Sequence, residues 1–381
     1  MSQLSGPEIK HTLRKLEFPL CAKEALTKIG QLLISNRTPT LKHMDLALDL
    51  MAELVFCEVD RRGNKRPSPL TSIDELQLID ALYDYFNSTA NETSRNSVFL
   101  SLFSGTTAMM RLGVLSKLVS IAVGVPSPPI LISASTWMQQ LGNTSPNSIQ
   151  LAKALVRDYF ILAPNTVPKL KILPKIAPQF VANFLTAVAN IYFCDGKKDL
   201  FTFPPQCLLE TITFWIKENP GLCIAAQQMQ PSLPQGAIAM EATTPFAGLL
   251  KWCILASIYN QDFDLYGQLH LGLISSILEI PVLTTPRAIS AQHLVVPAGS
   301  IHRYALETHS KLKRGEGGDR QKLFKEDQTL QLCLDRFAQA VQVALSVKCV
   351  YGNIEDLFTQ LQQLPQNRLL HIVIGTHKQN K

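Results

Sequence analysis

The chain has 381 residues, of which 46% are hydrophobic and only 17% are charged, with a formal net charge of +6. So few charges mean that Ser, Thr, Asn and Gln, or other proteins, must cover much of the surface. The 19 glycines argue against a β-rich fold with many tight turns, and no run of about 20 apolar residues predicts a membrane span.

The chain opens on MSQLSGPEIKHTLRKLEF, a polar amphipathic segment with acids and no apolar core, so we expect neither a signal peptide nor a transit peptide. The first exposed break follows at residues 59–71. Its basic residues are Arg61, Arg62, Lys65 and Arg66. A nuclear-localisation signal, an RNA phosphate contact and a solvated loop all remain open as interpretations of this run.

The segment SIDELQLIDALYDYF has a helical period. Its apolar positions are Ile73, Leu76, Ile79, Leu82 or Tyr83, and Phe86, with Asp74, Asp80 and Asp84 on the opposite side. Ser72 and Glu75 have the spacing of a capping box, in which a hydroxyl and a carboxylate bind free N–H groups of the first turn. We therefore predict an amphipathic helix that begins at this pair.

Two later segments repeat the pattern. In QLAKALVRDYFIL the predicted buried stripe is Ala152, Leu155, Val156 and Tyr159, with Lys153 and Arg157 pointing away. QCLLETITFWIKENPG is a helix that Pro220 and Gly221 should end. The tryptophans at 137, 215 and 252 lie in apolar helical segments, where core packing is the expected role and an interface anchor is the alternative.

The clearest helix is DQTLQLCLDRFAQAVQVAL. Its predicted seam is Leu330, Leu334, Phe337, Val341 and Leu345, and its polar face is Asp335, Gln339 and Gln342. A charged linker containing Gly315, Gly317 and Gly318 precedes it at 311–325. That linker region carries a second basic cluster, formed by Lys311, Lys313, Arg314, Arg320, Lys322 and Lys325. The segments LHIVIG and HLVVPAG fit either short strands or helix ends.

About sixteen such segments of ordinary helix length, separated by short Pro-marked loops, predict an all-α fold. We predict a helical-repeat solenoid of the HEAT or armadillo type, with more than about half of the residues in helices. The predicted organisation is N-terminal helices at 1–58, a basic loop at 59–71, helical repeats at 72–195 and 196–310, a linker at 311–325 and C-terminal helices at 326–381. We expect the loop and the linker to be mobile.

The sequence contains no spacing typical of a catalytic, cofactor or metal site. His302 and His309 share a predicted helix face, but two ligands do not make a zinc site. Carboxylates occur together as Asp262 with Asp264 and as Glu355 with Asp356. Of these, Asp262 and Glu355 fit helix N-termini, where negative charge is favourable. The eight cysteines include no Cys-x-x-Cys pair and are expected to be free, buried thiols.

The order of several blocks resembles one family. The blocks are DELQLIDALYDYF, KLVSIAV, QLAKALVRDYF, LLETITFWI, FAGLLKWCI, LYGQLHLGLISSIL, LCLDRFAQAVQVALS and LQQLPQNRLLHIVI. Together they resemble the family of the fifteenth Integrator complex subunit, from about residue 20 to 375. Each block is a generic amphipathic helix, and their succession makes the resemblance specific.

The resemblance implies a nuclear, α-helical subunit without a catalytic motif. The expected partners are other Integrator subunits, among them the arm subunits ten, thirteen and fourteen, with RNA polymerase II contacted indirectly and no membrane. The expected role is a scaffold in small nuclear RNA processing and transcription attenuation. The alternative from the residues is a nucleic-acid-binding module that uses the basic loops 59–71 and 311–325. No partner-binding residue is predicted.

Overall fold

The computed structural model describes residues 6–34, 40–67, 70–105, 108–193, 203–223, 244–259, 264–279, 289–313 and 320–379. This part of the chain is 79% helical, and its strands are a single parallel pair of two residues each. The prediction of an all-α fold with more than half of the residues in helices is confirmed. Within these residues, no helix combines the length and the apolar character that crossing a membrane requires.

The chain forms two compact units. The described residues of unit 1 fall within 6–158 and 175–180, and those of unit 2 within 159–174, 181–223 and 244–379. Tyr159 therefore begins unit 2 at a point where the sequence pattern continues without a break.

Unit 1 is built from helices that contact neighbours two or three positions along the chain. They are α1 (Gly6–Leu13), α2 (Leu20–Ile34), α3 (Leu41–Leu50), α4 (Ser72–Ser88), α5 (Glu92–Phe103), α6 (Ala108–Gly124), α7 (Pro128–Leu141) and α8 (Pro146–Val156). Helix α2 packs on α4 and α5, α4 packs on α6 and α7, α5 packs on α7, and α6 packs on α8. The core of the unit contains Leu26, Phe86, Phe99 and Trp137.

The capping box of α4 lies one residue earlier than predicted. The N-cap is Thr71, whose hydroxyl accepts a hydrogen bond from the Asp74 N–H, and the Asp74 carboxylate accepts one from the Thr71 N–H. The Ser72 and Glu75 assignment was wrong because Thr71 and Asp74 have the same three-residue spacing and a short acid also completes the box.

The buried face of α4 also differs from the predicted stripe. Ile79, Leu82 and Phe86 are buried, whereas Ile73 is 69% and Leu76 65% exposed. The first turn and a half of α4 therefore leaves two predicted core residues on the surface, since helical periodicity does not show where along its length a helix meets a neighbour.

A π-helix (Arg157–Leu162) follows α8 and shifts the buried side of the chain. Ala152, Leu155 and Val156 are buried as predicted, but Phe160 is buried in place of Tyr159, which is half-buried. A π turn has hydrogen bonds between residues five apart instead of four, so the buried stripe moves forward by one residue.

Unit 2 begins with short turns and continues with longer helices. Its elements are 3-10 turns at Pro164–Thr166 and Pro220–Cys223, strands β1 (Ile289–Ser290) and β2 (Val350–Tyr351), and helices α9 (Val167–Leu170), α10 (Leu173–Ile176), α11 (Pro178–Ala189), α12 (Gln206–Glu218), α13 (Pro245–Leu255), α14 (Asp264–Glu279), α15 (Ala291–Lys313), α16 (Arg320–Ser346), α17 (Ile354–Leu361) and α18 (Arg368–Gln379). Residues 175–180, at the junction of α10 and α11, belong to unit 1.

Contacts between described helices two positions apart run through unit 2. Helix α12 packs on α14, α13 on α15, α14 on α16, α15 on α17 and α16 on α18. The segments HLVVPAG and LHIVIG both lie in helices, α15 and α18, so the strand alternative is wrong for both. Helix α15 contains Pro297 in its interior.

The predicted seam of the C-terminal helix forms the buried face of α16. Leu334, Phe337 and Val341 have no exposed surface, and Leu330 and Leu345 are half-buried. Gln339 and Gln342 are exposed, as predicted. Helix occupies both ends of the predicted linker 311–325, because α15 reaches Lys313 and α16 begins at Arg320; the glycines between them lie outside the described residues.

Candidate protein-docking surface

The described residues contain no group of three or more His, Cys, Asp or Glu side chains that could hold a metal ion. His302 lies 3.1 Å through its Nδ1 from the Gln363 carbonyl oxygen, and His309 is exposed. Both histidines lie on α15, as predicted, but only His302 contacts the Gln363 carbonyl oxygen, whereas His309 faces solvent.

Of the two acids predicted at helix N-termini, Glu355 is found where negative charge is favourable. Glu355 and Asp356 lie in the first turn of α17, and the Asn353 side chain caps that helix by accepting from the Asp356 N–H. Asp264 is the first residue of α14, while Asp262 lies outside the described residues.

The seven described cysteines are all free thiols, as predicted, and five of them are buried. Cys57 and Cys207 are only half-buried, contrary to the prediction, and Cys194 lies outside the described residues. Burial raises the pKa of Cys223 to about 12 and that of Cys349 to about 11. A thiol with so high a pKa stays protonated at neutral pH and is a poor nucleophile.

The three tryptophans are core residues, which confirms the first of the two roles predicted for them. Trp137 and Trp252 have no exposed surface and Trp215 has 1%. Each indole N–H donates a hydrogen bond to a buried main-chain oxygen; the acceptors are Phe103, Leu170 and Ala189 for Trp137, Trp215 and Trp252, respectively. None of the three is available to anchor a partner.

The basic loop after α3 begins with an unusual backbone turn. A π-helix (Met51–Val55) extends α3, and Cys57 follows with φ of +52°. This left-handed conformation, uncommon for a residue with a side chain, redirects the chain so that Glu58 leaves the helix axis. The loop 59–71 therefore starts from a fixed direction.

A small β-bridge shapes the loop. Val59 pairs with Lys65, and the Arg66 N–H donates to the Glu58 carbonyl oxygen at 2.8 Å. At the tip, the Asp60 carboxylate accepts from the N–H groups of Arg62 and Asn64, each at 2.8 Å. Hydrogen bonds from Asn64 lower the pKa of Asp60. The carboxylate therefore stays charged and keeps its hydrogen bonds to the N–H groups of the turn.

Arg111 of α6 joins the start of the loop to the core of unit 1. Its guanidinium donates to both carboxylate oxygens of Glu58, at 2.8 and 2.7 Å, and to the Leu102 carbonyl oxygen at 2.8 Å. It also lies 4.2 Å from the ring centre of Phe56. Arg111 and Glu58 are only 5% and 13% exposed, so the two charges neutralise each other in a largely dry site.

Loop and helix together form a groove, which we call the Phe56 groove. It has a volume of about 190 Å³. Its lining residues are Phe56, Glu58, Lys65, Arg66, Pro67, Leu70, Met110, Arg111 and Val114. Met110 is 57% exposed, Phe56 only 3%. The floor of the groove is thus apolar, and its rim carries two cations.

The rim cations form no ion pair within the described part of the chain, and the charge of Arg66 acts on Asp60 only as a minor cause of the lowered pKa of that carboxyl. Lys65 is exposed, Arg66 is half-buried, and Arg61 and Arg62 at the loop tip are exposed. The sequence identified these four residues, but it gave no sign of the Glu58–Arg111 pair, whose members lie 53 positions apart. The side chains of the second basic cluster, between 311 and 325, lie outside the described residues.

Comparison with known proteins gives a consistent result. A sequence model of the family described as Integrator complex subunit 15 matches residues 7–366. The chain is 37% identical over 368 residues to Integrator complex subunit 15 of Drosophila melanogaster, covering 95% of this chain and 94% of that one. It is 30% identical over 407 residues to the human protein of the same name, covering 97% and 86%. This chain belongs to the Integrator complex subunit 15 family.

Proposed function

We propose that this protein is a non-catalytic scaffold subunit of the Integrator complex. The observation that carries the proposal is the family match over residues 7–366, supported by relatives that are named as subunits of that complex rather than as enzymes. In this role the protein is nuclear and joins the peripheral arm, with subunits ten, thirteen and fourteen, to the rest of the complex. It thereby serves small nuclear RNA 3′-end processing and transcription attenuation, and reaches RNA polymerase II through other subunits.

The helix contacts support a scaffold role. In each unit, most described helices pack on the second helix along the chain, such as α4 on α6 and α14 on α16. Such contacts are typical of stacked helical repeats, which present long surfaces to partner proteins. We therefore propose that the units are HEAT-like or armadillo-like stacks.

Affinity purification of the tagged full-length chain from nuclear extract tests membership. We expect mass spectrometry to identify Integrator subunits, including ten, thirteen and fourteen, at amounts comparable with the bait. Recovery of none of them would refute the proposal, since a structural subunit must be stably bound.

Depletion of the chain tests the linking role separately. After depletion, purification through subunit ten should still recover thirteen and fourteen but lose the remaining subunits. An arm that stays attached to the rest of the complex would leave membership intact and show that the linking role is wrong.

The second candidate is a nucleic-acid-binding module that uses loops 59–71 and 311–325. Exposed Arg61, Arg62 and Lys65, unpaired with any acid in the described ranges, favour it. Phosphate binding by such cations weakens linearly with the logarithm of salt concentration. Anisotropy of a labelled single-stranded RNA, titrated with the full chain at several salt concentrations, distinguishes this candidate: the scaffold role requires no such binding.

A further inference from the structure

The Phe56 groove combines two features. One is an apolar floor that stays accessible to solvent, with Met110 at 57% exposure. The other is the positive charge of Lys65 and Arg66 on its rim, which forms no ion pair within the described residues. Methionine is flexible and polarizable, so it adapts to side chains of different shape. The groove is therefore suited to an apolar group that carries negative charge beside it.

The carboxylates of Glu58 and Asp60, near the groove, already accept hydrogen bonds from within unit 1. Both carboxylate oxygens of Glu58 accept from Arg111, and the Asp60 carboxylate accepts from the turn of the loop. Neither carboxylate is free to turn towards Lys65 or Arg66. An incoming acidic group would thus find two cations that form no ion pair within the described residues, and electrostatic complementarity of this kind gives specificity and fast association.

The size and the lining of the groove narrow the class of occupant. At about 190 Å³ it is smaller than the pockets that enclose whole small-molecule ligands, which hold roughly 300–1,000 Å³. A nucleic acid would need an exposed aromatic ring for base stacking, but Phe56, the only aromatic residue of the lining, is 3% exposed and covered by Arg111. One large apolar side chain of a protein segment suits the space.

We propose that the Phe56 groove docks an acidic linear segment of a partner protein, with one large apolar side chain on Met110 and flanking carboxylates on Lys65 and Arg66. This names a docking surface for the scaffold role proposed above and rests on that role. The groove test uses peptides and needs no Integrator subunit, so the two proposals can fail independently.

The first experiment is selection from a displayed library of random 12-residue peptides against the folded full-length chain. The counter-selection uses the variant Lys65→Glu with Arg66→Glu. We expect the enriched peptides to carry several Asp or Glu residues around one Leu, Ile, Met or Phe. Failure to enrich any peptide, or enrichment of neutral or basic ones, would overturn the proposal.

The second experiment measures the selected peptide, labelled with fluorescein, by anisotropy. The Lys65→Glu, Arg66→Glu variant should bind at least tenfold more weakly than the wild type. The matched control is Lys169→Glu with Lys217→Glu, which makes the same charge change on exposed lysines of unit 2; it should change affinity less than twofold. An equal loss of peptide affinity in both variants would show that only the net charge of the protein matters, and would refute specific binding in the groove.

A double-mutant cycle tests the apolar contact. Met110→Ser should weaken the selected peptide severalfold, but should leave unchanged the weaker binding of a peptide whose apolar residue is replaced by Ser. Additive losses would contradict the assignment of the anchor to Met110. Circular dichroism and melting temperature of each variant establish that it is folded before binding is compared.

The same variants separate the competing occupants. Binding of a labelled single-stranded RNA that is lost with Lys65→Glu and Arg66→Glu, while the acidic peptide fails to compete with it, would assign the groove to nucleic acid. A wild-type dimer in light scattering that becomes monomeric with Met110→Ser would assign it to a second copy of the chain. Either result would overturn the proposal.

Discussion

The two units keep ionisable side chains in their interiors by different means. In unit 1, two largely buried carboxylates are paired with arginines: Glu58 with Arg111, and Glu53 with Arg14 at 2.6 and 2.7 Å. The buried Arg95 donates instead to the Thr89 carbonyl oxygen and the Ser133 hydroxyl. In the described part of unit 2, buried ionisable groups remain neutral instead. Burial lowers the pKa of His270 to about 4 and raises the pKa values of the thiols of Cys253 and Cys333.

The difference shows two solutions to one energetic problem. An isolated buried charge is very unfavourable, so a protein must either provide an opposite charge with good hydrogen bonds or keep the group uncharged. Pairing fixes the relative position of two distant segments, as Arg111 does for the loop after Glu58. Neutral groups cannot hold two segments together by charge. In unit 2 the segments are held by packing, for example of the Trp252 ring on the Tyr192 ring, whose centres are 5.4 Å apart.

The largest expected effect concerns packing in unit 2. Phe337→Ala should lower the free energy of unfolding by about 3–5 kcal/mol, because Phe337 has no exposed surface and its removal leaves a cavity in the seam of α16. Urea denaturation with hydrogen-exchange mass spectrometry would measure it, since exchange reports each unit separately.

The control for Phe337 is Gln339→Ala on the exposed face of the same helix, which should change stability by less than about 0.5 kcal/mol. Loss of partner recovery by Phe337→Ala at unchanged stability would instead place this residue at an interface and contradict the packing account of unit 2.

The next effect tests pairing in unit 1. Arg111→Met should cost about 3 kcal/mol, because it leaves the Glu58 carboxylate and the Leu102 carbonyl oxygen without their donor. Replacing both partners, as Arg111→Met with Glu58→Leu, should recover most of the loss. Equilibrium unfolding of the wild type, both single variants and the double variant gives the coupling energy.

A surface ion pair serves as the control. Lys117→Met removes the partner of Glu75, but this lysine is 53% exposed and its pair should contribute at most about 1 kcal/mol. Similar costs for Lys117→Met and Arg111→Met would show that burial does not distinguish the pairs.

Substitution of two helical glycines compares a closely packed position in unit 2 with an open surface position in unit 1. A Cβ on Gly248 of unit 2 would lie 2.5 Å from the Ala189 Cβ, so Gly248→Ala should destabilise by about 1–3 kcal/mol. A Cβ on Gly113 of unit 1 meets nothing within 4 Å. Gly113→Ala should therefore stabilise by about 0.5–1 kcal/mol, because alanine loses less backbone freedom on folding. Thermal melts of both variants give the two signs, and a stabilising Gly248→Ala would exclude the close helix contact.

The smallest effect is a pH dependence of unit 2. The His270 ring, 2% exposed, lies with its Nε2 3.0 Å from the Arg336 carbonyl oxygen. Burial lowers its pKa to about 4, so the unfolded state binds a proton below pH 6.5 that the folded state does not. The contribution of neutral His270 to the free energy of unfolding is therefore complete above pH 6.5. It decreases as the pH drops towards 4, and the decrease is about 1.4 kcal/mol at pH 5.5.

The variant His270→Gln isolates this contribution. Glutamine cannot titrate but can still donate to the Arg336 carbonyl oxygen. The difference in unfolding free energy between wild type and variant should shrink from pH 7.5 to 5.5 by the same amount. A constant difference across this range would mean that His270 has the same pKa in the folded and unfolded states, and that burial in unit 2 does not keep this ring neutral.

Most helices could be predicted from the sequence, because helical periodicity and Pro or Gly breaks are local signals. The seam of α16 at Leu334, Phe337 and Val341 was confirmed for this reason. Local ambiguity caused the errors: two polar pairs of equal spacing competed for the cap of α4, and a π turn replaced Tyr159 by Phe160 in the buried stripe.

The candidate site could be predicted only in part. The basic residues of loop 59–71 were visible because they form a run, whereas Met110 and Arg111 resembled any residues at the start of an apolar helix. Their meeting with Phe56 and Glu58 depends on the left-handed turn at Cys57 and on the packing of α6, and no sequence period encodes either.

The sequence by itself therefore determined the helices, the free thiols and the family, because these follow from local patterns and from their order along the chain. The tertiary structure decided which face of each helix is buried, which charges are paired and where a groove opens. These depend on contacts between residues far apart in sequence, such as Glu58 with Arg111, and a long-range contact has no local signal to read.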